Sequence, residues 1–296
     1  MATATDDLVA LMQSPNNSVR QRVLTILPLL PILVAAIWWD LWSTTLVMII
    51  AGMIGLYELY TSFRQHGYIP FTRFGFGFAV CIIAATWYQT TTGNALVEAV
   101  IAFGMIASLI VTLVRAHQEH VLTAWAFTMS GVLYVIYLLS YLIPMRAITT
   151  PLYPGLLSAW IAPGVAWIVL TLATTWLGDA FAYFSGRRFG KHLLAPHISP
   201  KKTWEGSVGG LLGAVATGIG CVPLLGLPIP LWGGAVIGII AGIIGPLGDL
   251  AESQIKRQLG VKDVGSILPG HGGMLDRIDS VLFMLPIVYY LAIWFA

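Results

Sequence analysis

The chain is 296 residues long, 57% hydrophobic and only 9% charged, with a formal net charge of +2. A soluble domain carries about 25% charged residues, so the composition excludes a surface solvated by water all round. The small net charge gives no basis for a nucleic-acid partner. Cys81 and Cys221 each lie in an apolar run and form neither a disulfide framework nor a metal-ligand spacing; they read as small buried hydrophobes.

The first 19 residues are polar, and Arg20 and Arg22 precede the first apolar stretch. A cleaved signal places its basic residues at the very start, so this stretch reads as a retained membrane helix after a short polar arm. Spanning helices need about 20 mostly apolar residues. Nine candidates follow in chain order: 22–39, 43–63, 74–90, 95–114, 121–143, 155–184, 205–225, 231–250 and 278–296. Their length excludes barrel strands, and the fold class is all-α, a polytopic transmembrane helical bundle of about nine spans. No internal repeat supports an inverted-repeat transporter.

Alternation from a cytoplasmic N-terminus places 14 of the 15 Lys and Arg residues on the cytoplasmic side, leaving only Arg146 outside. The positive-inside rule selects that orientation. Two connections, about 185–204 and 251–277, hold nine of the basic residues and lie on the same side. Residues 1–150 therefore read as transmembrane scaffold, lipid contact and part of a cavity, and 151–296 as the transmembrane region that gathers the polar chemistry at the cytoplasmic face.

The later connection carries the stronger chemistry. Asp249 ends one span, while Asp276 and Asp279 begin the next, three residues apart and so on one helix face. Carboxylates at membrane depth are costly without a partner. Carboxylates at two helix ends suit magnesium, which prefers oxygen ligands and shares its shell with substrate phosphates. Lys256, Arg257, Lys262 and Arg277 then meet phosphate charge, and Gly272 and Gly273, after Gly270 and His271, let backbone approach an anion. Interhelical ion pairs closing a transporter are the competing reading.

In the earlier connection, Asp179 and Tyr183 share a helix face and Arg187 follows them. Ser199-Pro200 is read as a chain break. Lys201, Lys202 and Thr203 offer cationic and hydroxyl donors to a polyphosphate. Glu205, near the next helix start, is available as a cap, as a lysine partner or to a metal. The spacing of a Walker A loop is absent. Glu58 and Glu98 read as isolated sites.

The stretch Ser253-x-Ile255-Lys256-Arg257, Lys262-Asp263-x-Gly265, Leu268-Pro269-x-His271-Gly272-Gly273-Met274-x-Asp276-Arg277-Ile278-Asp279 resembles the signature of the phosphatidate cytidylyltransferases. Asp249 in Gly248-Asp249-Leu250-x-Glu252-Ser253 and the runs 179–191 and 199–206 also resemble that family, so the likeness covers roughly the last 120 residues. It implies a magnesium-dependent transfer of the cytidylyl group of CTP to phosphatidic acid, by a membrane enzyme forming a homodimer in a bacterial inner membrane. Asp249 and Asp276 are implied as metal ligands, with potassium as a candidate second cation. Lys201, Lys202, Lys256 and Arg257 fall among the phosphate-facing positions, and Asp263 and His271 belong to the same motif. Isoprenoid-phosphate enzymes share parts of the signature. The phosphatidate phosphate is already largely dianionic near neutrality, its second pKa being about 6. No general base is required, which agrees with the absence of a His or Cys constellation.

Overall fold

The computed structural model describes residues 31–115, 119–261, 263–265 and 272–295. Among these, helices follow in chain order as α1 (31–39), α2 (Leu41–Gln65), α3 (Thr72–Thr92), α4 (Val97–Val114), α5 (Val121–Arg146), α6 (Pro163–Phe189), α7 (Trp204–Leu225), α8 (Leu231–Gln258) and α9 (Leu275–Phe295). Seven of them, α2 and α4–α9, are long and apolar enough to cross a membrane. Part of the first predicted span, 22–30, lies outside the described residues. Exposed Trp, Leu, Ile and Phe side chains cover the outside of the bundle, as lipid rather than water requires. The protein is an integral membrane helical bundle.

Local chemistry sets the helix limits. Asp40 caps α2, accepting from the Leu41 amide at 2.6 Å, and Ser43 answers from the third helical position. Pro163 starts α6 at a position where its missing N–H costs nothing. That start corrects the predicted span from 155. Residues 153–157 instead bond to the end of α7, with the Tyr153 amide donating to the Gly226 carbonyl at 2.7 Å and Leu157 to Leu224 at 2.9 Å. A π-helical segment, Val132–Tyr137, interrupts α5. Such segments are uncommon and gather at functional sites.

The second half is built on α6, α7 and α8, packed through small residues; any side chain at Gly218 of α7 would collide with the Gly234 carbonyl of α8. Fully buried Trp167, Ile168 and Leu170 of α6 join Leu282, Leu285 and Val288 of α9 in the core. Where a chain break was expected at Ser199-Pro200, the chain forms a small antiparallel hairpin instead, β1 (Leu193–Ala195) paired with β2 (Ser199–Thr203). Pro is tolerated on such an edge strand. The hairpin leads directly into α7, whose N-cap Thr203 accepts the Gly206 amide at 3.1 Å.

The principal difference from expectation lies in α8. Its apolar stretch stops near Asp249, yet the helix runs on to Gln258. Residues 251–258 are therefore two further helical turns rather than loop.

Candidate active site

Because α8 continues, Asp249, Glu252, Ser253 and Lys256 share one helical face at spacings of three, four and seven. The start of α9 presents Asp276 and Asp279 to that face. Carboxylate oxygens of Asp249, Glu252 and Asp279 lie within 4.8 Å of one another. Glu252 has no exposed surface, and Asp279 is 8% exposed. Three carboxylates so close repel strongly in a poorly solvated setting.

Two lysines partly offset that charge. Lys256 Nζ donates to Glu252 Oε2 at 2.6 Å and to Asp276 Oδ1 at 2.7 Å, bridging α8 to α9. Asp276 Oδ2 accepts the Gly273 amide at 2.8 Å. Lys202 of β2 reaches Asp249 Oδ2 at 2.7 Å and the Pro246 carbonyl at 3.2 Å. Four carboxylates, those of Asp249, Glu252, Asp276 and Asp279, thus face two lysine ammonium groups. Ser253 donates to Asp249 Oδ1 at 3.2 Å. Glu252 Oε1 is buried and makes no hydrogen bond among the described residues.

A cavity of about 1150 Å³ opens over this cluster. Its polar floor includes Asp179, Asp249, Glu252, Lys256, Asp276 and Asp279. Tyr183, Arg187, Lys201, Lys202 and Thr203, from α6 and the hairpin, also line it, as do Asp263 and Arg277. The remaining wall is apolar, with Ile32 and Leu33 of α1 and Val47, Ile50 and Ala51 of α2. One cavity therefore joins a charged floor to an apolar flank, a shape suited to an amphiphile with an anionic head.

Most predicted site residues converge here, with some exceptions. Glu205 is not among the described residues lining the cavity; it accepts the Lys191 and His192 amides at 3.1 and 3.2 Å and contacts His192 Nδ1 at 2.6 Å. Arg257 donates to the Ile198 carbonyl at 3.0 Å and ties α8 to the hairpin. Ser199 pairs with Ala195 in the hairpin. Gly272 and Gly273 sit beside Asp276. Lys262 and His271 lie outside the described residues. Asp249 and Asp276, the expected ligand pair, are both at the cavity, but Asp249 clusters with Glu252 and Asp279 while Asp276 binds Lys256.

Two acidic residues of this region were missed in the sequence. Glu252 was recognisable from its i+3 relation to Asp249 once the helix is extended. Glu58 of α2 is not an isolated site: its Oε2 accepts the Met274 amide at 2.6 Å and the Leu275 amide at 3.2 Å. Only long-range contact brings it there.

The family model described as "Cytidylyltransferase family" matches residues 20–295. A phosphatidate cytidylyltransferase of Brucella abortus (strain 9-941) is 44% identical over 133 residues, covering 45% of this chain and 49% of the relative. One from Staphylococcus saprophyticus is 48% identical over 130 residues, 44% of this chain and 50% of the relative. The chain thus spans about half the length of the curated relatives it matches. With a family match extending over nearly all of its helices and a carboxylate–lysine cluster at their ends, this chain belongs to the cytidylyltransferase family.

Proposed function

We propose that the protein transfers the cytidylyl group of CTP to phosphatidic acid, giving CDP-diacylglycerol and pyrophosphate. The observation carrying this reading is the cavity itself, where clustered carboxylates and lysines meet an apolar wall. The relatives' printed name supports the same substrates. A bacterial inner membrane is in keeping with their organisms, and the bias of Lys and Arg supports a cytoplasmic site. The proposal includes a homodimer.

The donor set fits a hard divalent cation. Asp249, Glu252 and Asp279 supply oxygen ligands only, and their charge is incompletely matched by Lys202 and Lys256. We assign magnesium to this cluster, held by Asp249 with its neighbours, with Asp276 completing the acidic floor; the donors also suit potassium beside it. When bound, magnesium screens the phosphates and polarises the one under attack.

The protein's own groups do the rest. Lys201, Arg187 and Arg277 at the cavity wall draw two anionic reactants into one space. Lys202, fixed by Asp249 and the Pro246 carbonyl, holds its ammonium toward the same space. The apolar wall of α1 and α2 keeps the acyl chains aligned with lipid. A phosphatidate oxygen attacks the α-phosphorus of CTP, the bond to the β-phosphate oxygen breaks, and pyrophosphate leaves with its charge met by lysine and arginine.

The direct test is incubation of purified protein with labelled CTP, phosphatidic acid and magnesium, alongside Asp276→Asn. Labelled CDP-diacylglycerol from wild type, and little or none from Asp276→Asn, is the expected result. Absence of product from folded wild-type protein, or transfer to prenyl phosphates alone, overturns the reading.

A further inference from the structure

We infer that Glu58, from the N-terminal half of the chain, is a positioning residue for the active site: a strap that fixes the backbone entering α9 and thereby aims Asp276. This deepens the function proposed above and rests on it.

Glu58 lies within the membrane-spanning helix α2, about two turns from its C-terminal end, and is buried there, where a carboxylate is expensive unless a specific partner holds it. It is 3% exposed. Its Oε2 accepts the Met274 and Leu275 amides at 2.6 and 3.2 Å, across 216 and 217 residues of sequence. Met274 immediately precedes α9 and Leu275 is its first residue, so neither amide has a partner within the helix, and an anion there is also favoured by the helix dipole. Glu58 therefore caps α9 from another helix.

The cap adjoins the chemistry. The Gly273 amide, next in the chain, donates to Asp276 Oδ2, and Asp276 Oδ1 holds Lys256. Gly265 and Gly273 both pack closely against the Glu58 side chain. A Cβ added at Gly265 would collide with the Glu58 carboxyl carbon, and one at Gly273 would lie 2.7 Å from Glu58 Oε2 and 2.9 Å from Asp276 Oδ2. Both margins of the signature loop are thus shaped to receive this carboxylate. Through these contacts Glu58 transmits the position of α2 to the acidic floor.

The test compares Glu58→Gln and Glu58→Met with wild type in detergent or nanodiscs. Amide hydrogen exchange over 273–275, thermal melting, and kcat with KM for CTP are measured on each. Loss of a helix cap typically costs about 1 kcal/mol or more, so exchange at these amides should rise roughly five- to tenfold in Glu58→Met. Its kcat should fall about tenfold or more, because misplacement of a catalytic group penalises turnover. The KM for CTP should stay near wild type, since Glu58 is not among the described residues lining the cavity. Glu58→Gln should lie between the two, its amide oxygen still accepting one bond. Unchanged exchange over 273–275 with unchanged kcat overturns the inference, as does a loss of activity matching only the loss of folded protein. If wild type makes no product, the functional reading fails, while the exchange data still decide whether Glu58 holds the loop.

Discussion

Replacing Lys256 by Met tests the electrostatics of the site most severely. Lys256 Nζ stands 2.6 Å from Glu252 and 2.7 Å from Asp276, and the three side chains are 13%, 0% and 6% exposed. Met preserves most of the stem but leaves two buried carboxylates without their shared cation, and Asp249 and Asp279 are close by. Breaking a buried pair by removing one partner costs about 3–5 kcal/mol. For a chain of this size each kcal/mol moves the melting temperature by roughly 2–4 °C, so a fall on the order of 10 °C is expected in EDTA. Divalent cation acts in the opposite direction: at about 100 times its dissociation constant a ligand specific to the folded state contributes ~2.7 kcal/mol. Saturating magnesium should therefore raise the melting temperature of Lys256→Met more than that of wild type and close much of the gap. Lys256→Arg should fall between them. Intrinsic tryptophan fluorescence during heating, with EDTA or magnesium, reads all three proteins. A Lys256→Met protein melting within about 2 °C of wild type in EDTA would refute the reasoning, because such a shift is under 1 kcal/mol.

Two other outcomes follow from the same geometry. With phosphatidate as nucleophile, kcat/KM should climb with pH through about 6, as the second phosphate proton leaves, and then level off; a flat profile from pH 5 to 8 contradicts direct attack by the dianion. Lys202→Met should lower turnover severely because it removes the contact to Asp249 at the cavity floor, whereas Glu205→Gln should leave turnover near wild type because Glu205 bonds to residues 191 and 192; steady-state kinetics of the two variants check the contrast, and equal losses in both contradict it.

Much of this arrangement was legible in the sequence, for definite physical reasons. Desolvation demands long apolar runs, so α2, α4 and α7 appear within two residues of their expected limits. Asp249, Asp276 and Asp279 announced themselves because carboxylates at the margins of apolar spans are costly without a partner. Hydropathy, however, reports where lipid ends, not where hydrogen bonding ends. The segment Ala251–Gln258 is rich in Glu, Gln, Lys and Arg, all good helix formers, and α8 continues through it, which is how Glu252 enters the cluster. Ser199-Pro200 reads as a break by local propensity, yet Thr203 and Leu193 pair across the hairpin and carry Lys202 to Asp249. Glu58 lay beyond local reading altogether, since its partners are more than 200 residues away.

The most direct measurement of the metal assignment is manganese binding followed by electron paramagnetic resonance on purified protein, comparing wild type with Asp249→Asn and Asp279→Asn. Wild type should immobilise Mn²⁺ in competition with magnesium, and both substitutions should weaken that binding strongly while the proteins remain folded. Mn²⁺ held equally well after Asp249→Asn would show that the carboxylates of α8 and α9 do not gather the cation.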